Sequence, residues 1–414
     1  MATIKILHIS TFQRGGAGMA AMRLHKGLLE HGIQSRFLFL EKGETSANEI
    51  QYKKRAYLWQ LMLRIFRKFG MPLNLEQKNE FSIRKHKRKV EMFSFARTAH
   101  LQLHEHPLVK ECDIIHLHWV ANFIDFSTFF QNLNKPVVWT LHDMNPFQGG
   151  FHYKGDQERW NTQFHPHNDR QFSIKKNALL CVSSDMLTVV TPSKWLLRLS
   201  EASELLSRFA HYCIPNGIDT KIFAPKERTE QAAGKTKVLF VAENVYNHRK
   251  GLDMVLEILQ DKSFADTYHF TAVGEAKQKA KISFINYTGV VNSEQRMSEL
   301  YSETDIFLLP SREDNLPNVM LESLCCGTPV VGFALGGMLE TIVNGENGYL
   351  SSEISAAGLK TALQTCTQHL SKFNRKAIAE NAGQKFSAEA QAEAFGKLYY
   401  TCLHRQPASS AITG

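Results

Sequence analysis

Glu313, Asp314 and Glu322 stand in one short block, PSREDNLPNVMLESLCCGTPVV, over 310–331. An apolar run from Ile306 to Pro310 ends in the polar turn that carries the first two carboxylates. An apolar segment holding Glu322 follows, then Gly-Thr-Pro and a second apolar run. The block spells strand, loop, helix, strand. Ligands of open α/β sheets bind beyond the carboxyl ends of the strands. The loop 311–317 is therefore placed to hold one, with Asp314 and Glu322 turned toward it.

Other residues take similar places. Lys250-Gly251, preceded by His248-Arg249, follows the strand-like run 237–243 and opens the next helix. Cations there suit a diphosphate; a solvated charge run is the plainer reading. The loop Arg14-Gly15-Gly16-Ala17-Gly18 follows the first strand and opens a helix, whose N-terminus favours a phosphate or carboxylate. The plainer reading is a tight turn. The loop is not G-x-G-x-x-G, and no acidic residue ends the second strand before Glu41. Both points disfavour a nicotinamide dinucleotide. His142-Asp143 closes the apolar run 136–141. An imidazole there can bond a substrate hydroxyl or carry a proton, or be a satisfied structural residue. His-x-His occurs at 104/106, 116/118 and 165/167. Alternation puts His116 and His118 on one face, but no third ligand is spaced to complete a site, so no metal is expected.

The elements that position these residues come in two series. Apolar strand runs at 4–9, 35–40, 112–120, 136–142 and 187–193 alternate with helical stretches. The pattern restarts at 237–243 and continues at 268–274, 285–291, 306–310, 328–333 and 348–350. Alternation of this kind implies βαβ units and parallel sheets. The expected domains are 1–224, 225–387 and a C-terminal helix and tail, 388–414. The polar stretch 224–237 forms the join. A chain of 414 residues is long enough for about two domains. Its seven cysteines form no C-x-x-C pair and, with no secretory leader in MATIKILHIS, read as reduced thiols of a cytosolic protein. No uncharged apolar stretch reaches the about 18 residues of a membrane span.

The net charge of +9 has one source. Residues 51–100 hold 13 Lys/Arg against 3 Asp/Glu, a balance of +10, so the rest of the chain sums to −1. Within it, Leu58, Leu61, Met62, Ile65, Phe66 and Phe69 share one helical face of the segment 53–70, opposite Gln60, Arg64 and Arg67. A second basic run, RKHKRK, spans 84–89. An in-plane membrane helix has this character, and each basic residue near an anionic surface contributes about 1 kcal/mol. An ordinary amphipathic helix packed on its own domain has it too. The runs carry no nucleic-acid motif, so no nucleic-acid partner is expected.

Taken in order, the Gly15-Gly16 loop, His142-Asp143, VTPSKW (190–195), IPNGID (214–219), KGLD (250–253) and PS…DNLPNVMLES…CGTPVV resemble the retaining glycosyltransferases of family 4 over nearly the whole chain. TLHDMNPFQGGFHY (140–153) with Trp160 is similar to the bacterial enzymes that build exopolysaccharide and capsule repeat units. The resemblance implies a GT-B fold: two facing Rossmann-like domains, a cleft between them, and a C-terminal helix crossing back to the first. It implies transfer of a sugar from a nucleoside-diphosphate sugar to a saccharide acceptor, lipid-linked, at the inner face of the cytoplasmic membrane. The donor is a substrate, and neither cofactor nor metal is implied.

By this resemblance Asp314 binds hydroxyls of the transferred sugar, Glu322 the ribose, and Lys250, with Arg249, the diphosphate. The backbone of Asn315, Leu316, Pro317 and Asn318 and that of Gly15 and Gly16 cradle sugar and phosphate. His142 contacts the sugar. The chain departs from the family in two places. Asp314 stands where the motif's first Glu is usual, and Ala242-Glu243 stands where Gly-Arg usually follows the strand. Two further readings remain: a non-catalytic GT-B scaffold in a polysaccharide assembly complex, and a nucleotide-sugar epimerase.

Overall fold

The computed structural model describes residues 4–52, 62, 65–66, 74–86, 90–228, 234–276 and 284–405. Two compact units divide the chain: Met1–Ile214 with Ala392–Gly414, and Pro215–Gln391.

The first unit is built on a parallel sheet of β1 (Lys5–Ser10), β2 (Gln34–Phe39), β3 (Glu49–Gln51), β4 (Ile114–Leu117), β5 (Val137–Thr140), β6 (Leu187–Thr191) and β7 (Ala210–Cys213). Their order is β3-β2-β1-β4-β5-β6-β7. The second unit holds β8 (Thr236–Asn244), β9 (Tyr268–Glu275), β10 (Ile285–Gly289), β11 (Ile306–Leu309), β12 (Val330–Phe333) and β13 (Gly348–Ser351). Their order is β10-β9-β8-β11-β12-β13, again all parallel. Strands covered on both faces are apolar at nearly every position, which is why β4, β5, β6, β11 and β12 are buried throughout. Each sheet reverses its strand order once, at β1/β4 and at β8/β11. Those reversals are where an open α/β sheet leaves a crevice for a ligand.

The expected strands are present. Two more, β3 and β7, lacked a signal: one is three residues long and the other, AHYC, is half-exposed. A 27-residue helix, Lys154–Leu180, with Pro166 inside it, also had no clear periodicity to announce it. Its Phe164 packs with Ile83, Val90 and Phe151, tying the basic segment to the first unit. Most of the expected amphipathic helix over 53–70 lies outside the described residues, as do 87–89 of the second basic run; Met62 and Ile65 are described and exposed.

The C-terminal helix, Ala388–His404, starts in the second unit and ends in the first. Ala392, Phe395, Tyr399 and Cys402 recur at helical spacing and pack on Ile6, Leu24, Ile114 and Val138, the apolar stripe of a helix laid on a sheet. The chain passes between units at Ile214/Pro215, before the polar stretch that composition marks as the join. The reason is hydrogen bonding. Ile218 bridges Ser387, Gln391 donates to the Pro215 carbonyl at 2.9 Å, and Asn216 reaches Leu316 and Asn318. The IPNG segment is thus fastened to the second unit. The seven cysteines are free.

Candidate active site

In the second unit, β8 runs into the turn His248–Lys250 and then Gly251, which has φ +77°. A Cβ on Gly251 would lie 1.9 Å from the Pro310 carbonyl oxygen. Glycine is therefore required where this turn crosses the end of β11, and the crossing delivers Lys250 to the 311–314 loop. Lys250 Nζ donates to Asp314 Oδ2 at 2.6 Å. Arg249 Nη1 lies 3.4 Å from the same oxygen and donates to the Glu313 carbonyl at 2.9 Å. Ser311 Oγ donates to Asp314 at 3.3 Å. Burial alone would raise the Asp314 carboxyl, but the Lys250 and Arg249 cations overcome it and hold the group below the usual carboxylate range. Asp314 is an anion at neutral pH, matched by two cations.

Arg312 locks the two loops together. Its backbone N–H donates to the Arg249 carbonyl at 2.7 Å. Its guanidinium grips both oxygens of Asp253 at 2.7 and 2.6 Å and the His248 carbonyl at 2.6 Å, a bidentate geometry that fixes direction as well as distance. Sequence reasoning missed Arg312, although it lies between two residues of the motif.

Glu322 sits in the second turn of the helix Asn318–Cys325, 8% exposed, and accepts from the Tyr301 hydroxyl at 3.1 Å. Pro317 caps this helix without a side-chain bond to it. Asn318 Oδ1 accepts from Asn216 at 2.9 Å, and the Asn315 carbonyl from Gly337 N–H at 2.5 Å. The Leu316 side chain belongs to the core, so only its backbone is available to a ligand.

In the first unit, Gly15 takes φ +73° at the start of the helix Gly15–Glu30. A Cβ on Gly16 would meet nothing within 4 Å, whereas one on Gly18 would meet the Gln13 carbonyl carbon at 2.7 Å. Packing thus demands Gly18, and Gly16 borders open space. His142, just past β5, is half-buried; His118 Nδ1 lies 3.3 Å from its Nε2. Burial pulls the His142 imidazole down to about 4, with Asp143 opposing, so it is neutral at pH 7. Asp143 itself is held: Trp119 Nε1 donates to it at 2.8 Å, His152 Nδ1 lies 2.7 Å away, and the Asn145 N–H donates at 2.9 Å.

The structure also brings in a third imidazole that spacing did not show. His8 on β1 pairs in register with His116 on β4, and nitrogens of His8, His116 and His118 lie within 4.8 Å of one another. Beside this network the buried Lys175 ammonium bonds the carbonyls of Asn145, Gln148 and Gly149. Burial lowers it to about 7 against the pull of Asp143.

Both halves match known family models. The Glycosyltransferase Family 4 model covers residues 14–222 and the Glycosyl transferases group 1 model residues 235–369. The chain belongs to glycosyltransferase family 4. A curated relative, the putative colanic acid biosynthesis glycosyl transferase WcaC of Escherichia coli K12, is 23% identical over 91% of this chain and 95% of its own. The structure resembles sucrose-phosphate synthase from Thermosynechococcus elongatus, with TM-score 0.64 and 16% identity over 96% of this chain and 98% of that one. It also resembles HepE of Anabaena in complex with UDP and glucose, with TM-score 0.62 and 15% identity over 96% and 100%. At such identities these two likenesses show the fold, GT-B. Curated relatives are matched over 30% to 95% of their own length. As a family 4 glycosyltransferase, the chain carries its sequence-singled residues in two groups. Arg249, Lys250, Asp314 and Glu322, with Asn315 to Asn318, lie in the second unit; Gly15, Gly16 and His142 lie in the first.

Proposed function

We propose that this glycosyltransferase takes a sugar from a nucleoside-diphosphate sugar and adds it, with retention of configuration, to a lipid-linked saccharide during surface polysaccharide synthesis. The observation that carries the reading is the Lys250–Arg249–Asp314 cluster at the β8/β11 reversal. Two cations fixed by Gly251 and Arg312 are suited to the charge that grows on a departing diphosphate, since donors already in place need no rearrangement as the bond breaks. Lys250 is paired with Asp314. A diphosphate would compete for the ammonium and leave the carboxylate to accept from sugar hydroxyls. Arg249 supplies part of the positive charge that the arginine displaced by Glu243 would bring.

Glu322 receives the ribose hydroxyls. The backbone of Asn315, Leu316 and Asn318 faces sugar and phosphate; Pro317 has no N–H to offer. Gly15 and Gly16 supply backbone to the donor, and neutral His142 meets the transferred sugar. The acceptor hydroxyl attacks from the face the diphosphate leaves, without a metal or a protein nucleophile. Two likenesses support the reading: the E. coli relative is described as a colanic acid biosynthesis enzyme, and HepE was crystallised with UDP and glucose.

A panel of nucleoside diphosphates and nucleotide sugars tests it. One of them at about 100 times its dissociation constant adds about 2.7 kcal/mol of stability, read as a thermal shift, and NMR of the product shows an unchanged anomeric configuration. No shift and no turnover with any of them refutes the proposal. A second reading, a non-catalytic scaffold, is favoured by exposed Glu243 at the expected arginine position and predicts binding without turnover.

The membrane face is proposed from charge. No described helix is long and apolar enough to cross a bilayer, while the basic segment 51–100 suits an anionic surface. Co-sedimentation with vesicles containing anionic lipid, and not with neutral ones, is the expected result; sedimentation indifferent to lipid charge refutes it.

A further inference from the structure

Three imidazoles of the first unit stand in series. His8 Nδ1 lies 2.9 Å from His118 Nε2, and His118 Nδ1 lies 3.3 Å from His142 Nε2. His8 and His118 are 0% and 3% exposed; His118 and His142 both line a pocket with Trp119, Asp143 and His152. His116 stacks on His118 with ring centroids 4.1 Å apart, but it stays outside the series. Its two nitrogens meet the Tyr399 and Thr140 hydroxyls at 2.6 and 2.7 Å. Burial pushes His8, His118 and His142 below the usual imidazole range, so each ring is neutral at pH 7 and has one N–H and one lone pair.

The far end of the series sets its direction. His8 Nε2 is buried and has no hydrogen-bond partner among the described residues. A buried N–H without an acceptor is rarer and costlier than a buried lone pair without a donor. The lone pair of His8 therefore sits on Nε2 and its proton on Nδ1. His8 Nδ1–H donates to His118 Nε2. That leaves the His118 proton on Nδ1, where it donates to His142 Nε2. His142 then has its proton on Nδ1.

We propose that His8 and His118 are positioning residues, whose hydrogen bonds hold His142 in the tautomer that bears its proton on Nδ1. That this N–H serves the donor sugar rests on the function proposed above. The chain of bonds orients the ring and aims a donor, not an acceptor, at a sugar oxygen. Both residues act through His142.

Nitrogen NMR of the wild-type protein labelled in its histidines tests the tautomer directly, with His142→Gln supplying the assignment. The expected spectrum shows His142 protonated at Nδ1 and bare at Nε2; protonation at Nε2 overturns the proposal. His118→Leu should mix the two His142 tautomers and lower kcat about fivefold, the worth of one hydrogen bond, with donor KM unchanged. His118→Asn, whose amide Nδ2 stands near the imidazole Nδ1 and donates likewise, should restore both. Leu and Asn variants that behave alike overturn it. So does one transition-metal ion per chain in the purified protein that His8→Ala removes, because a metal would take the lone pairs of His8, His116 and His118. Absence of any nucleotide binding by the wild type would defeat the transferase reading and leave the tautomer result standing.

Discussion

The two sheet reversals share a topology and differ in chemistry. At β8/β11 the side chains are charged and paired: Lys250, Arg249 and Asp314 meet within 3.4 Å. At β1/β4 they are neutral and serial: His8, His118 and His142 pass hydrogen bonds from the sheet interior outward. One end of a sheet can thus be prepared for an anion by cations held in fixed loops, and the other for neutral hydroxyls by imidazoles that burial keeps uncharged. Even the buried cation of the first unit, Lys175, spends its bonds on one loop, on three backbone carbonyls and the Asn145 side-chain oxygen.

The sharpest way to break this contrast is to remove one charge. Lys250→Ala should lower kcat/KM about 10³-fold, the scale seen when a fixed donor to developing charge is lost, and weaken nucleotide binding. His142→Ala should leave nucleotide binding intact and act on kcat. Steady-state kinetics beside calorimetric titration with the nucleoside diphosphate separates the two. Activity near wild type in Lys250→Ala would end the anion-site assignment.

Next comes Lys175→Met. It removes the ammonium from buried carbonyls, which should cost about 3 kcal/mol of stability, measured by urea unfolding. A cost below about 1 kcal/mol would show that those carbonyls find other donors.

A smaller effect, spread over pH, separates the units. His8, His116, His118 and His142 of the first unit have folded pKa values depressed by burial below the unfolded value of about 6.5. The unfolded chain binds their protons first, so the stability they contribute is present above about pH 6.5 and falls as pH drops, toward about 4 for His142. Asp314 has a folded pKa below its unfolded carboxylate value of about 3.9, so its contribution persists down to about pH 4 and is lost only beneath it. Between pH 6.5 and 4.5, hydrogen-exchange protection, taken relative to the intrinsic rate at each pH, should fall at β4 and β5 while β11 keeps its own. Equal loss of protection in both sheets would refute the distinction.

The smallest change is a gain. Glu243→Arg restores the arginine the family resemblance leads one to expect and should tighten nucleoside-diphosphate binding about fivefold, close to the worth of one hydrogen bond, by calorimetric titration. No gain would mean that Arg249 already fills that place.

Much of the second unit's site was legible because its motif is contiguous. Asp314 and Glu322 come from one loop and the helix after it, and Lys250 follows a recognisable strand. Their partners were not. Arg312 meets Asp253 across a turn, and Tyr301 meets Glu322 from another helix. In the first unit His142 was readable at a strand end, while His8 was only one apolar-strand residue among several. Its approach to His118 depends on the β1/β4 register, which strand patterns do not carry. The chain passes between the compact units before the polar stretch for a related reason: polarity marks an exposed stretch, but IPNG is fastened by bonds to residues about a hundred or more positions away.

Local order determined the alternating βαβ units, the parallel sheets they imply, the basic segment at 51–100 and the glycine and carboxylate loops at strand ends, because each depends on residues near one another in the chain. Tertiary structure alone decided which cations neutralise Asp314, where the first unit ends and which way the histidine series points. Those follow from which strands lie side by side and which groups are shut away from water, and burial and distance are properties of the folded chain.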